Sequence, residues 1–166
     1  MQAQLSSERI RPPRAGDVLV VEVAGTRCAL PLVDVLEVLR AVALTPLPTA
    51  PPIVEGVIDV RGEVVPVLDI RRRLGLPPAP VSSAQRLVLA TAAGRTVALR
   101  VDAIEWITRL AATDIAEPDR IAHGIGWLAG VGRVADALVL VHDLGTFLRQ
   151  AEAEALDDAL TAAAGE

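Results

Sequence analysis

An internal repeat constrains this 166-residue chain more than any other feature of its sequence. Gly56-Val57 precedes Asp69 by the same interval that separates Gly130-Val131 from Asp143, and Leu74 and Leu148 follow at equal distances. Upstream, Val33-Asp34-Val35-Leu36-Glu37-Val38 and Val101-Asp102-Ala103-Ile104-Glu105-Trp106 share Val-Asp, an apolar pair and Glu at identical spacing. Two similar units in tandem are the simplest account.

Each unit reads as short strands punctuated by turns. Residues 18–23 and 26–30 are apolar runs joined by Ala24-Gly25, and residues 86–91 and 95–101 flank Ala93-Gly94 in the same way. Residues 56–60 and 63–68 flank Arg61-Gly62, where Gly62 supplies the positive φ of a reversal whose type the sequence leaves open. Pro66 has no N–H to give a ladder, so its strand is an edge or that position points away from its neighbour. Between the hairpins, Asp34, Glu37 and Arg40 recur every third residue, which predicts a short helix over 32–40 with one polar stripe. The Pro-rich run of 47–52 makes an extended connector. Asp69 and Asp143 read as N-caps, the first of a short helix over 69–74. Many short strands with turns between them favour small barrels over a parallel sheet. The expected organisation is a polar, patternless arm over 1–16, two β-barrel subdomains over roughly 17–85 and 86–150 with exchange of elements between them left open, and a C-terminal helix and tail over 151–166.

Composition removes several function classes. Mean hydropathy is +0.44, yet the longest uncharged stretch, residues 41–54, is 14 residues with four prolines, too short and broken to cross a bilayer as a helix. The first residues carry charge where a signal peptide needs its apolar segment, so a cytoplasmic address is expected. A net charge of −5 with 2% aromatic residues offers neither a basic face nor a stacking platform for nucleic acid. Cys28, His123 and His142 are scattered singletons, so no metal or other cofactor is expected. No nucleophile pairs with a base at a recognisable spacing, and nothing in the chain demands an enzyme.

One hairpin invites a binding role. Residues 57–68 are almost wholly aliphatic and carry a permanent, fork-shaped cation, Arg61, at the turn. It is either a solvated turn arginine or a bidentate ligand for a partner's carboxylate.

These segments resemble the CheW-like chemotaxis coupling proteins over roughly residues 17–160. The resemblance is carried by residues 35–40, the connector of 48–51, the run from Gly56 to Asp69, Val101-Asp102 and Gly130-Val131-Gly132. It implies an all-β fold with short helices: two tandem SH3-like five-stranded barrels sharing a core, plus a C-terminal helix. It implies a non-enzymatic adaptor, monomeric when isolated, without cofactor or membrane insertion. Such an adaptor joins the cytoplasmic tips of methyl-accepting chemoreceptors to the regulatory domain of a histidine autokinase, in membrane-associated receptor arrays. The partner-binding positions it implies are Val35 and Glu37 in the expected helix, Gly56 and Arg61 in the hairpin, Val88 and Ile104 in the second unit, and Gly130 at its later hairpin. Two departures accompany it: Asp59 stands where the family usually has asparagine, and Cys28 where it often has an aromatic. The competing reading is a small-molecule sensor using the groove between barrels.

Overall fold

The computed structural model describes residues 16–116 and 127–165. The expected arm lies outside these apart from Gly16, and so does His123. Four two-residue turns organise the described chain. Positive φ at both central residues, 50° and 81° at Ala24-Gly25, 51° and 86° at Arg61-Gly62, 51° and 78° at Ala93-Gly94, and 47° and 64° at Ala135-Asp136, marks type I′ reversals. These turns match the right-handed twist of paired strands, which is why so many short antiparallel hairpins form.

The strands are β1 (Asp17–Val23), β2 (Thr26–Pro31), β3 (Val35–Arg40), β4 (Val54–Val60), β5 (Glu63–Leu68), β6 (Arg86–Ala92), β7 (Arg95–Val101), β8 (Ala103–Arg109), β9 (Ile115–Ala116), β10 (Leu128–Val134) and β11 (Ala137–His142). A short helix α1 (Ile70–Arg73) follows β5, and α2 (Gln150–Ala164) closes the described chain. Asp69 and Asp143 both cap as expected, their carboxylates accepting from the N–H groups of Arg71 and Gly145.

Two sheets result, ordered β8-β1-β2-β11-β10-β9 and β3-β6-β7-β5-β4. Each joins the first hairpin of one repeat to later strands of the other: β1-β2 sits with β8, β10 and β11, and β6-β7 with β3, β4 and β5. The parallel pairs agree, since Val141↔Ala29 in one sheet corresponds to Val67↔Ala98 in the other. The first sheet also pairs Leu140 with Cys28. The corresponding pair would use Pro66, which lacks the donor, and it is missing. Pro66 is inside the sheet, opposite Val57, whose own N–H and C=O bond to Thr45 on the far side at 2.8 and 2.9 Å. Neither expectation for Pro66 holds: its strand is interior, and its donor position points away from β4 but toward β7, where the ladder loses that pair.

Each sheet is buried on both faces where it meets the other. Val18, Val20, Ala29, Val139 and Val141 fill one barrel, and Leu39, Ile58, Val65, Leu87, Leu89 and Ala98 fill the other. Leu19, Val21, Leu30, Leu68, Val88, Leu99, Phe147 and Leu156 form a third core between them. Successive residues of β1 and β6 therefore face different cores, and these strands read as continuous apolar runs without alternation. Cys28, fully buried in this shared core, is a small core residue.

The helix expected over 32–40 is corrected. A single 3₁₀ turn, Leu32–Asp34, leads into strand β3. Between Val35↔Ala90 and Glu37↔Leu89 the register slips, leaving Leu36 as an extra residue. One bulge residue converts an even polar spacing into an odd one, which imitated a helical period. The Val-Asp match between repeats is corrected by the same registers. Ala41 N–H bonds to Gln85 C=O and Leu110 N–H to Gly16 C=O, while Arg40 faces Arg86 and Arg109 faces Asp17. The structural equivalent of Glu37 is thus Trp106, one residue beyond Glu105, and the segment after Val101 is strand β8.

Candidate functional site

The hairpin turn at Arg61 is held locally. Asp59 Oδ1 accepts the Gly62 N–H at 2.7 Å, the bond an asparagine side-chain oxygen would also make, so this departure leaves the turn intact. From the turn, the guanidinium of Arg61 forks onto Glu37, with Nη1–Oε1 at 3.2 Å and Nη2–Oε2 at 2.6 Å. The Arg61 side chain is 66% exposed and that of Glu37 13%. Glu37 lies on β3 and Arg61 at the end of β4, the two opposite edges of the five-stranded sheet. Their pairing ties those edges together and closes the barrel. The sequence allowed Arg61 a partner's carboxylate or plain solvation; the carboxylate in its fork belongs to its own chain. Exposed Leu36 precedes Glu37 and exposed Val64 lies three residues beyond Arg61, so apolar and charged surface occur together on this barrel.

Gly56 and Gly130 do a different job. A Cβ on Gly56 would stand 2.7 Å from Thr45 O, and one on Gly130 2.6 Å from Ala116 O. Each glycine lets a crossing segment lie directly on its strand, and each sits at a register slip. Both are buried, as is Val35. Val88 is fully buried in the shared core and has no surface to offer a partner.

Ile104 belongs to a second feature, a groove of about 820 Å³ between the edge strands of the two sheets. Val38 and Arg40 on β3, Ile104, Trp106 and Ile107 on β8, and Arg86 and Asp102 line it. Ile107 is exposed and shares the groove with Ile104 and Trp106, so the apolar surface there is contiguous. Reading the residues singly missed Val38, Arg40, Trp106 and Ile107. The one available signal was Trp106, a tryptophan at a strand position in a chain almost without aromatics.

Among the other candidates for chemistry, burial pushes the Cys28 thiol up to about 12, so no thiolate forms at neutral pH. His142 is fully buried, and burial lowers its pKa to about 4. Among the described residues no three His, Cys, Asp or Glu side chains gather as metal ligands, and no helix is long and apolar enough to cross a membrane.

Comparison with known proteins accounts for this arrangement. Residues 17–152 match the model of the CheW-like domain. The chain is 38% identical to protein FrzA of Myxococcus xanthus over 96 residues, 58% of this chain and 60% of that one. It is 32% identical to the chemotaxis protein CheW of Rhizobium meliloti (strain 1021) over 113 residues, 67% of this chain and 73% of that one. The scaffolding protein TtCheW of Thermoanaerobacter tengcongensis superposes with a TM-score of 0.74 over 82% of this chain and 94% of its own, at 24% identity, and shares the fold of two SH3-like barrels. The chain belongs to the CheW-like family, the non-enzymatic scaffold adaptors of chemotaxis.

Proposed function

We propose that this chain couples the cytoplasmic tips of chemoreceptors to a histidine autokinase, binding the kinase through a regulatory domain of its own fold. The observation that carries this reading is the groove between β3 and β8. It brings exposed Ile107 together with Val38, Ile104 and Trp106 between the cations of Arg40 and Arg86. An amphipathic helical tip suits such a surface, placing its apolar stripe on the groove floor and its carboxylates on the arginines. The kinase domain is assigned to the Arg61 end of the five-stranded barrel, where the paired charges lie beside exposed Leu36 and Val64. Of the seven positions carried by the resemblance, Glu37, Arg61 and Ile104 can touch partners, while Val35, Gly56, Val88 and Gly130 act by shaping the strands beneath. The adaptor works in the cytoplasm, recruited to membrane-associated arrays.

Two titrations of the purified chain test this, one with a receptor-tip fragment and one with the kinase regulatory domain. Arg61→Glu places like charges against Glu37 and is expected to weaken kinase binding roughly thirtyfold. The double variant Glu37→Arg/Arg61→Glu, which restores the pair in reverse, should recover part of the loss. Full affinity of Arg61→Glu for both partners would remove Arg61 from the site. A small molecule that raises the melting temperature by filling the groove, with no binding of either protein, would replace this reading by a sensor.

A further inference from the structure

The chain passes between the sheets twice, and the two passages are built differently. From β7 to β8 it crosses in one residue, Asp102, between Val101 and Ala103. That residue bonds to both sheets. On the six-stranded side, its N–H donates to Glu22 C=O at 2.8 Å and its Oδ2 accepts the Ala24 N–H, at the tip of the first hairpin, at 2.6 Å. On the five-stranded side, Arg71 of α1 donates to Oδ1 and Oδ2 at 2.8 and 2.7 Å, and Gln85 donates to Oδ1 at 2.8 Å. Gln85 in turn accepts from Arg100 at 3.0 Å. The carboxylate thus has its acceptor sites filled from both barrels while its side chain remains on the groove wall.

The other passage, from β2 to β3, has no such fastening among the described residues. The position equivalent to Asp102 is Val33, an exposed aliphatic. The positions equivalent to Arg71 and Gln85 are Gly145 and Gly16, which have no side chains to donate. Equivalent to Ala24, Ala93 gives its N–H to Leu144 C=O. Among the described residues the carboxylate lock therefore stands at one passage only, the one from which β8 and Ile104 emerge, while Arg73 of α1 adds a separate bond to Phe147 C=O.

We propose that Asp102 is a positioning residue for the groove: through Ala24, Arg71 and Gln85 it fixes the separation of β3 and β8, and with it the affinity of whatever docks between them. The docking part rests on the adaptor reading above; the fastening part does not. Ile104 lies two residues beyond the lock, so freedom at Asp102 transfers directly to the groove wall. Loss of the lock leaves each barrel's own core untouched and lets the two barrels reorient about the shared one.

The test is a distance measured across the groove in the full chain. Spin labels placed at Arg40→Cys and Arg109→Cys, on the two edge strands, report the separation by pulsed electron resonance; buried Cys28 does not compete for label. The unaltered lock should give one narrow distance distribution. Asp102→Ala and, as a milder variant that keeps the carboxylate, Arg71→Gln should broaden or shift it while circular dichroism stays unchanged, with Arg71→Lys in between. A folded Arg71→Gln and a folded Asp102→Ala that both keep the narrow distribution would overturn the proposal. The same variants, titrated with the receptor-tip fragment, should bind about tenfold more weakly, while their affinity for the kinase regulatory domain is retained. Absence of receptor binding by the unaltered chain, with the distance change present, would sink the docking reading and leave the lock standing.

Discussion

Arg100 on β7 reaches across β5 to Glu55 on β4, its Nε donating to Oε2 at 2.8 Å while its remaining N–H groups hold Gln85 and the backbone carbonyls of Ala79 and Pro80. The arginine is 4% exposed, so these bonds replace nearly all of its hydration. One side chain thereby binds two strands and pins the proline-rich connector between the repeats.

Glu55→Ala is accordingly expected to cost about 3 kcal/mol, because it leaves a buried guanidinium without its counter-ion. Replacing both residues by apolar ones of similar volume, Glu55→Leu/Arg100→Met, should cost less than the single change, though Ala79 and Pro80 then lose their donor. Urea denaturation of the three proteins decides it; a Glu55→Ala loss below about 1 kcal/mol would show that solvent reaches Arg100.

The hairpins were legible because an Ala-Gly or Arg-Gly pair between apolar runs has few alternatives to a tight reversal. Helix caps were legible for a similar local reason, the need of Asp69 and Asp143 to satisfy N–H groups two residues on. Strand β3 was not, since a bulge depends on the partner strand and leaves no mark in the sequence but an odd polar spacing. Nor was the exchange of hairpins: β1-β2 and β6-β7 have similar faces, and nothing local says which half each will join. The partner of Arg61 was likewise unreadable, since Glu37 comes into reach only when the sheet curls until its edges meet. The partner-binding positions came from family resemblance, which does not distinguish a residue that touches a partner from one, such as Val88, that supports the strand beneath.

Gly56→Ala and Gly130→Ala should be similarly destabilising, each by about 1 to 3 kcal/mol, since in both the new methyl meets a backbone carbonyl closer than 3 Å. The expected loss is one of packing, so each variant should show a lowered melting temperature. A Gly130→Ala protein as stable as the parent would mean that the segment around Ala116 yields freely, and that the two glycines are not equivalent.

Helix α2 is part of the core. Leu156 is fully buried in the shared cluster. Glu152 accepts from the N–H of Arg149 at 2.9 Å and forms an ion pair with Arg73, which in turn donates to Phe147 C=O at 3.0 Å. Leu156→Ala should cost about 3 kcal/mol. Burial alone would raise the pKa of Glu152, but the bonds from Arg73 and Arg149 outweigh it and hold the carboxyl below its usual range. A depressed acid stabilises above its unfolded pKa and loses that contribution as pH falls through its folded one, so Glu152→Gln should remove part of the acid sensitivity below about pH 4.5. Equal acid profiles for the two proteins would contradict the pairing.

The pKa of His142 is also lowered, but by burial with no compensating bond. Its ring is fully buried against Trp127 and Phe147, with centroids 5.0 and 6.0 Å away, and neither ring nitrogen has a hydrogen-bond partner among the described residues. Burial drives its pKa down to about 4, because the imidazolium would lose its hydration and gain nothing in return. In the unfolded chain the same ring takes up a proton near pH 6.5. Below that value the unfolded state binds more protons, so the folded state loses stability steadily from about pH 6.5 down to about pH 4, by up to about 3 kcal/mol. His142→Leu, of similar volume and with no polar atoms, should flatten this slope and leave stability at pH 7.5 equal or slightly higher. The measurement is urea denaturation of both proteins at intervals between pH 4.5 and 7.5. Parallel stability curves over that range would show that His142 is protonated or bonded in the folded state, and that the slope belongs to other groups.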